Sequence, residues 1–233
     1  MTYFVLIASV LIGVVLFQVL NDLRANSIKL LLAFSAAYLF AISVFHLLPK
    51  IYTGDGKIIG LFLLIGFILQ IVLEFFSQGI EHGHGHGHLQ NKTVPISMLV
   101  SLAIHSFLEG VPLGGIENYG QLDSDFEGSL LTGIALHKLP VTIVLMSLFT
   151  QAEFSKRKSF ILIGIFAIMA PLGTLSGNFV QEINYYHREI MAVVVGIFLH
   201  ISTTILFESS EAHKFNLQKL VVIVLGSIMA WLV

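Results

Sequence analysis

The chain contains no cysteine. Disulfide frameworks, thiolate metal sites and a cysteine nucleophile are therefore excluded, and cysteine usage says nothing about redox compartment. Charge is scarce too: 11% of the 233 residues are Asp, Glu, Lys or Arg, and the formal net charge is −2. Apart from Lys156-Arg157-Lys158 there is no dense basic stripe, so nucleic acid is not an expected partner. Apolar side chains dominate, at 56% of the chain with a mean hydropathy of +0.89. That is more apolar surface than one water-soluble core of this size can bury, so the membrane is the expected solvent.

An α-helix needs about 20 apolar residues to cross about 30 Å of hydrocarbon. Runs of that length fall near 3–21, 30–49, 58–80, 94–116, 129–150, 159–181, 190–207 and 215–233. Nearly all the charges lie between them, as in Asn21-Asp22-Leu23-Arg24 and Glu208-Ser209-Ser210-Glu211. The expected fold is an all-α polytopic membrane helix bundle with eight transmembrane helices, forming a single transmembrane domain over 1–233. No soluble domain fits in the short loops, and consecutive helices are expected to be antiparallel neighbours. The first run has no basic leader and no small-residue cleavage site, so it reads as a retained helix.

Cytoplasmic loops of membrane proteins are enriched in Lys and Arg. With the N-terminus outside, the cytoplasmic side collects Arg24, Lys29, Lys92, Lys156, Arg157, Lys158, Lys214 and Lys219, against Lys50, Lys57 and Arg188 opposite. Both termini are therefore expected outside the cytosol. Short loops suit a bacterial inner membrane. The loop over 81–92 holds His82, His84, His86 and His88 alternating with glycine, close enough together to share an ion such as Zn²⁺. It reads either as a device that captures or senses metal leaving a pore, or as a solvated linker that binds metal only because any histidine run does.

A charged side chain at the centre of a membrane helix costs about 2.5–3.5 kcal/mol on insertion scales, so it is retained where it has a partner or a task. The fourth run carries His105 and Glu109 four residues apart, on one helix face and within reach of a single ion. The fifth carries His137, three residues before Pro140. Pro140, like Pro112 in the fourth run, removes a backbone hydrogen bond and is expected to loosen its helix there. Loosened helices that carry ligands at membrane depth are a common way to bind an ion. The set His105, Glu109 and His137 suits Zn²⁺ and also accepts Fe²⁺, Mn²⁺, Co²⁺ or Cd²⁺. A single buried histidine is as well explained by a hydrogen bond to a neighbouring helix; three such groups on adjacent helices favour a site.

At these residues the chain resembles the ZIP (ZRT/IRT-like) divalent metal transporters. His105-Ser106-Phe107-Leu108-Glu109-Gly110 is similar to that family's fourth-helix pattern, with Ser106 in place of Asn. His137-Lys138-Leu139-Pro140-Val141 matches the fifth-helix pattern at the histidine and the proline, and His46-Leu47-Leu48-Pro49-Lys50 is similar to a common second-helix ending. The resemblance implies eight helices, inverted repeats relating helices one to three with six to eight, and a transport bundle that slides past a scaffold. It also implies two metal ions side by side. Here Val141 stands where a ligand is expected and Lys138 occupies a second-metal position, so the expectation is one transported ion, with the Lys138 ammonium paired to Glu109 in place of the other.

Weaker candidates for the ion's shell or route are Ser106, His46 and His200, followed by Ser43, Thr203 and Thr204. Glu74, Glu208 and His213 lie near helix ends and read as solvated interfacial groups. Glu117, Asp123, Asp125 and Glu127 form an acidic stretch that can concentrate cations at an entrance, or simply stay wet. Gly164, Ala167, Ala170, Gly173 and Gly177 allow close helix approach in the sixth run, which Pro171 bends. The function expected is import of zinc, or of iron or manganese, as a transported substrate rather than a cofactor. The other expected partner is membrane lipid, with room for a homodimer. An intramembrane zinc hydrolase, in which a metal-bound water attacks an ester or amide, and a non-transporting metal-sensing paralogue are the competing readings.

Overall fold

A computed structural model describes residues 1–19, 25–52, 56–80, 94–114, 124–180, 185–207 and 217–233. The histidines of the 81–92 loop, Glu117, Asp123, Glu208 and His213 lie outside these residues, as does the side chain of Asp125. The described residues contain helices and no strand. In chain order they are α1 (Thr2–Val19), α2 (Ala25–Ile42, continued below), α3 (Gly56–Ser77), α4 (Ile96–Gly110), α5 (Ser124–Gln151), α6 (Lys156–Phe179), α7 (His187–Phe207) and α8 (Leu217–Trp231). Among the described residues seven spans are long and apolar enough to cross a bilayer, and α8 is a shorter apolar helix. Leu61, Leu64, Ile68 and Phe75 on α3, and Ile161, Ile165 and Ile168 on α6, face outward. Gln70, His105, Ser106, Glu109, His137 and Lys138 are buried. Apolar outside and polar inside is the arrangement of a protein whose solvent is lipid.

Proline shapes the helix ends. After Ile42 the second helix widens into a π-helical turn, Ser43–Leu47, and then resumes over Leu48–Ile51. Pro49 has no N–H to donate and its ring conflicts with the carbonyl four residues back, which favours a wider turn just before it. Within that turn the Leu48 N–H donates to the Ser43 carbonyl. Pro112 ends its helix rather than loosening it: α4 stops at Gly110 and a 3₁₀ turn, Val111–Leu113, follows. Pro140 lies inside α5, which continues through it as helix from Ser124 to Gln151. A proline costs a membrane helix less than a soluble one because its neighbours can re-satisfy the freed carbonyl.

The expectation that consecutive helices are close neighbours is met for α3 with α4 and α5 with α6, but the tightest pairs are not consecutive. Among the described residues the tightest pairs are α3 with α7, α2 with α8, α1 with α5 and α4 with α6. These pairs interconvert when α1, α2 and α3 are exchanged with α6, α7 and α8, and α4 with α5. They sort into two groups, α1/α4/α5/α6 and α2/α3/α7/α8, which meet chiefly where α2 packs on α5 and α3 on α4. Glycine decides the pairing. Gly66 of α3 rests on the backbone of Val193 and Gly196 of α7 on that of Leu63, while Gly110 rests on Ala170 and Gly173 on Phe107. At each of these a Cβ would collide with main-chain atoms, so the helices approach to backbone contact, which is how membrane helices without a hydrophobic drive between them gain packing energy.

Candidate metal centre

The last two turns of α4 and the middle of α5 carry the polar residues of the first helix group. His105 and Glu109 stack one turn apart, with His105 Nε2 3.0 Å from Glu109 Oε1. The His137 ring stands edge-on to that of His105, 6.2 Å between centroids. One potential ligand atom from each of His105, Glu109 and His137 lies within 4.8 Å of the others, and all three side chains are buried. The donor set is two imidazoles and a carboxylate. Tetrahedral zinc with bonds of about 2.0–2.2 Å sets its ligand atoms roughly 3.3 Å apart; the His105–Glu109 pair is already near that spacing.

The second oxygen of Glu109 faces Lys138. Lys138 Nζ is 3.1 Å from Glu109 Oε2, donates to Ser106 Oγ at 2.6 Å, and sits 4.7 Å from the centre of the Phe166 ring. Ser106 Oγ in turn donates to the Phe166 carbonyl at 3.4 Å. Lys138 is 2% exposed and Glu109 0%, so this ion pair is closed to water. On its far side His105 is held by α3: its Nδ1 is 3.2 Å from Gln70 Oε1. Nearby, Ser101 Oγ donates to the Leu73 carbonyl at 2.6 Å across the same α3–α4 contact.

The remaining candidates stand apart from this group. His46 leaves the π-helical turn toward α8, its Nε2 donating to the Ala230 carbonyl at 2.9 Å. His200 of α7 pairs with Glu74 of α3, Nε2 to Oε2 at 2.5 Å, and packs edge-on to Phe67. Glu74 is thus a partner in a pair between helices rather than a group that is only solvated. The hydroxyls of Ser43 and Thr203 donate to carbonyls of their own helices, at Leu39 and Leu199. Glu127 lies on α5, which starts ahead of the apolar run, and accepts from Thr2 Oγ1 at 2.8 Å. The sequence reading did not single out Gln70, Phe166 or His187. For Gln70 the signal was present: with Glu74 it repeats on α3 the four-residue spacing that picked out His105 and Glu109.

The ZIP Zinc transporter family model matches residues 81–233. The chain belongs to the ZIP family. No curated protein matches it. The match spans α4 to α8 and therefore includes every residue of the His105/Glu109/His137 group. ZIP proteins carry divalent metal across membranes, so the chain is a membrane protein of a metal-transporting family and not of an enzyme family. Among the departures from the ZIP patterns quoted above, those at Val141 and Lys138 differ in kind. Val141 is buried among apolar neighbours and offers no donor. Lys138 fills its position with a positive charge that already has a carboxylate partner.

Proposed function

We propose that this ZIP protein moves one divalent transition-metal ion, with zinc the best fit and iron or manganese admissible, into the cytosol through a mononuclear site. His105, Glu109 and His137 are its ligands, and Lys138 takes the place of a second metal. The observation that carries this reading is the shared carboxylate. Glu109 presents one oxygen to His105 and the other to Lys138, and the group contains no other acid. A second divalent ion would bring two further positive charges into a dry site with no further carboxylate to meet them, where unpaired charge is most costly. Two imidazoles and one carboxylate form a borderline donor set that favours zinc over calcium or magnesium.

The Glu74–His200 pair extends the route. Glu74 is one turn beyond Gln70 on α3, about 6 Å along the axis, in the direction of the histidine-bearing loop. A second histidine–carboxylate station there gives a departing ion a place to rest. The Lys/Arg excess supports that loop being cytosolic with both termini outside, and the short loops suit a bacterial inner membrane.

Uptake of radioactive zinc into proteoliposomes, with His105→Ala alongside, tests the reading. Uptake by the wild type and its loss in the variant are expected. Uptake that persists in His105→Ala removes the site. Binding without uptake turns the protein into a sensor, and lipid cleavage without uptake turns it into a hydrolase.

A further inference from the structure

We propose that Gln70 is a positioning residue for the transported ion, acting through His105; the proposal rests on the reading of the site given above. Gln70 lies in mid-α3 between Leu69 and Ile71, on a helix whose other faces are apolar, and is 0% exposed. A side-chain amide at that depth needs a hydrogen-bonding partner, and what it meets is His105 Nδ1 at 3.2 Å. The opposite ring nitrogen, Nε2, faces Glu109 at 3.0 Å and the His137 side of the group.

This geometry selects one form of the imidazole. With Nδ1–H donating to Gln70 Oε1, the Nε2 lone pair is directed at the place where Glu109 and His137 converge. Free neutral imidazole side chains favour a proton on Nε2, which would block the ion-facing nitrogen. An acceptor behind Nδ1 reverses that preference and fixes the ring's rotation, as the outer partner of a metal-bound histidine does. Gln70 stands on α3 while the ligands stand on α4 and α5, so the support crosses the contact between the two helix groups. Movement of one group past the other would withdraw it.

The test uses the purified full-length protein in detergent, titrated with Co²⁺ and read by its d–d absorption. The signal lost in His105→Ala defines the membrane site and separates it from the loop histidines. Gln70→Leu, similar in size but without an acceptor, is expected to weaken Co²⁺ binding about 10–100-fold and to alter the d–d band. Gln70→Glu keeps an acceptor in the same place and is expected to bind as the wild type does. In proteoliposomes the Leu variant should show a raised half-saturation for zinc with its maximal rate retained. Wild-type affinity and spectrum in Gln70→Leu overturn the proposal, and so does a Glu variant as weak as the Leu variant, because packing rather than the acceptor would then be at work. If His105→Ala leaves the signal intact, the site reading itself fails; if it abolishes the signal while Gln70→Leu changes nothing, only the role of Gln70 fails.

Discussion

Replacing Lys138 with Asn perturbs the charge balance of the site most directly. At 3.1 Å the Lys138–Glu109 attraction is about 5 kcal/mol for an effective dielectric constant of about 20. Desolvation of the two ions offsets most of this, so the intact pair adds little net stability. Removing one partner is a different matter. Glu109, 0% exposed, would keep its charge without a counter-ion, which costs about 3–5 kcal/mol, and Ser106 Oγ would lose its donor. The metal-free Lys138→Asn protein should therefore melt markedly below the wild type. Zinc should reverse this, because a second cation can now enter beside Glu109. Melting curves in detergent with chelator and with excess zinc give the stability half of the test. Elemental analysis, taken as the difference from His105→Ala, gives the stoichiometry: one ion in the wild-type site and two in the variant. A wild type that already holds two ions there refutes the charge-substitution argument, as does a variant whose melting is indifferent to zinc.

Three further outcomes follow from the packing and the outer contacts. Gly173→Val sets a side chain against the Phe107 carbonyl and should cost at least the 1–3 kcal/mol typical of overpacking, seen as lost monodispersity in size-exclusion chromatography; Gly164→Ala, which meets open space, should be tolerated, and equal behaviour of the two would contradict the close α4–α6 approach. His187 Nε2 donates to the Pro112 carbonyl at 3.0 Å while buried, so His187→Ala should lose about 1–3 kcal/mol in a melting assay, and an unchanged melting point would show that the bond contributes nothing. Glu74→Gln should slow zinc uptake severalfold without changing the number of ions bound at the His105 site; an unchanged rate would take the Glu74–His200 pair off the route.

That His105, Glu109 and His137 come together was readable because bilayer physics makes rare residues informative. His105 and Glu109 announce themselves by a helical spacing inside an apolar run, and His137 by its depth. The link between Lys138 and Glu109 needed only the motif comparison and a charge argument. What escaped is the shell around them. Gln70 is an amide on another helix, 35 residues before His105 in the chain, and nothing in its own segment says which helix it faces. Phe166 touches Lys138 with its ring and Ser106 with its carbonyl. Backbone carbonyls carry no sequence signature, so that part of the support becomes visible only in three dimensions.

Helix number follows from hydropathy, whereas helix adjacency does not. Short loops suggest that neighbours in sequence are neighbours in space, and here that rule fails for α1/α2, α2/α3 and α7/α8. In a bilayer, apolar side chains gain nothing by leaving lipid for one another, so adjacency is settled by which helices offer matching small residues. Gly66 with Gly196, and Gly110 with Gly173, belong to helices far apart in the chain. The small residues of α6 were recognisable as a packing face, but their partner on α4 was not. That partner decides the chemistry: bringing α6 to backbone contact with α4 places Phe166 over Lys138, while α3 brings Gln70 against His105 from the other side. One flank of the candidate site is thus built from its own helix group and the other is lent by the neighbouring group, so under the proposed role of Gln70 the α3–α4 contact is where ion affinity would respond to bundle position.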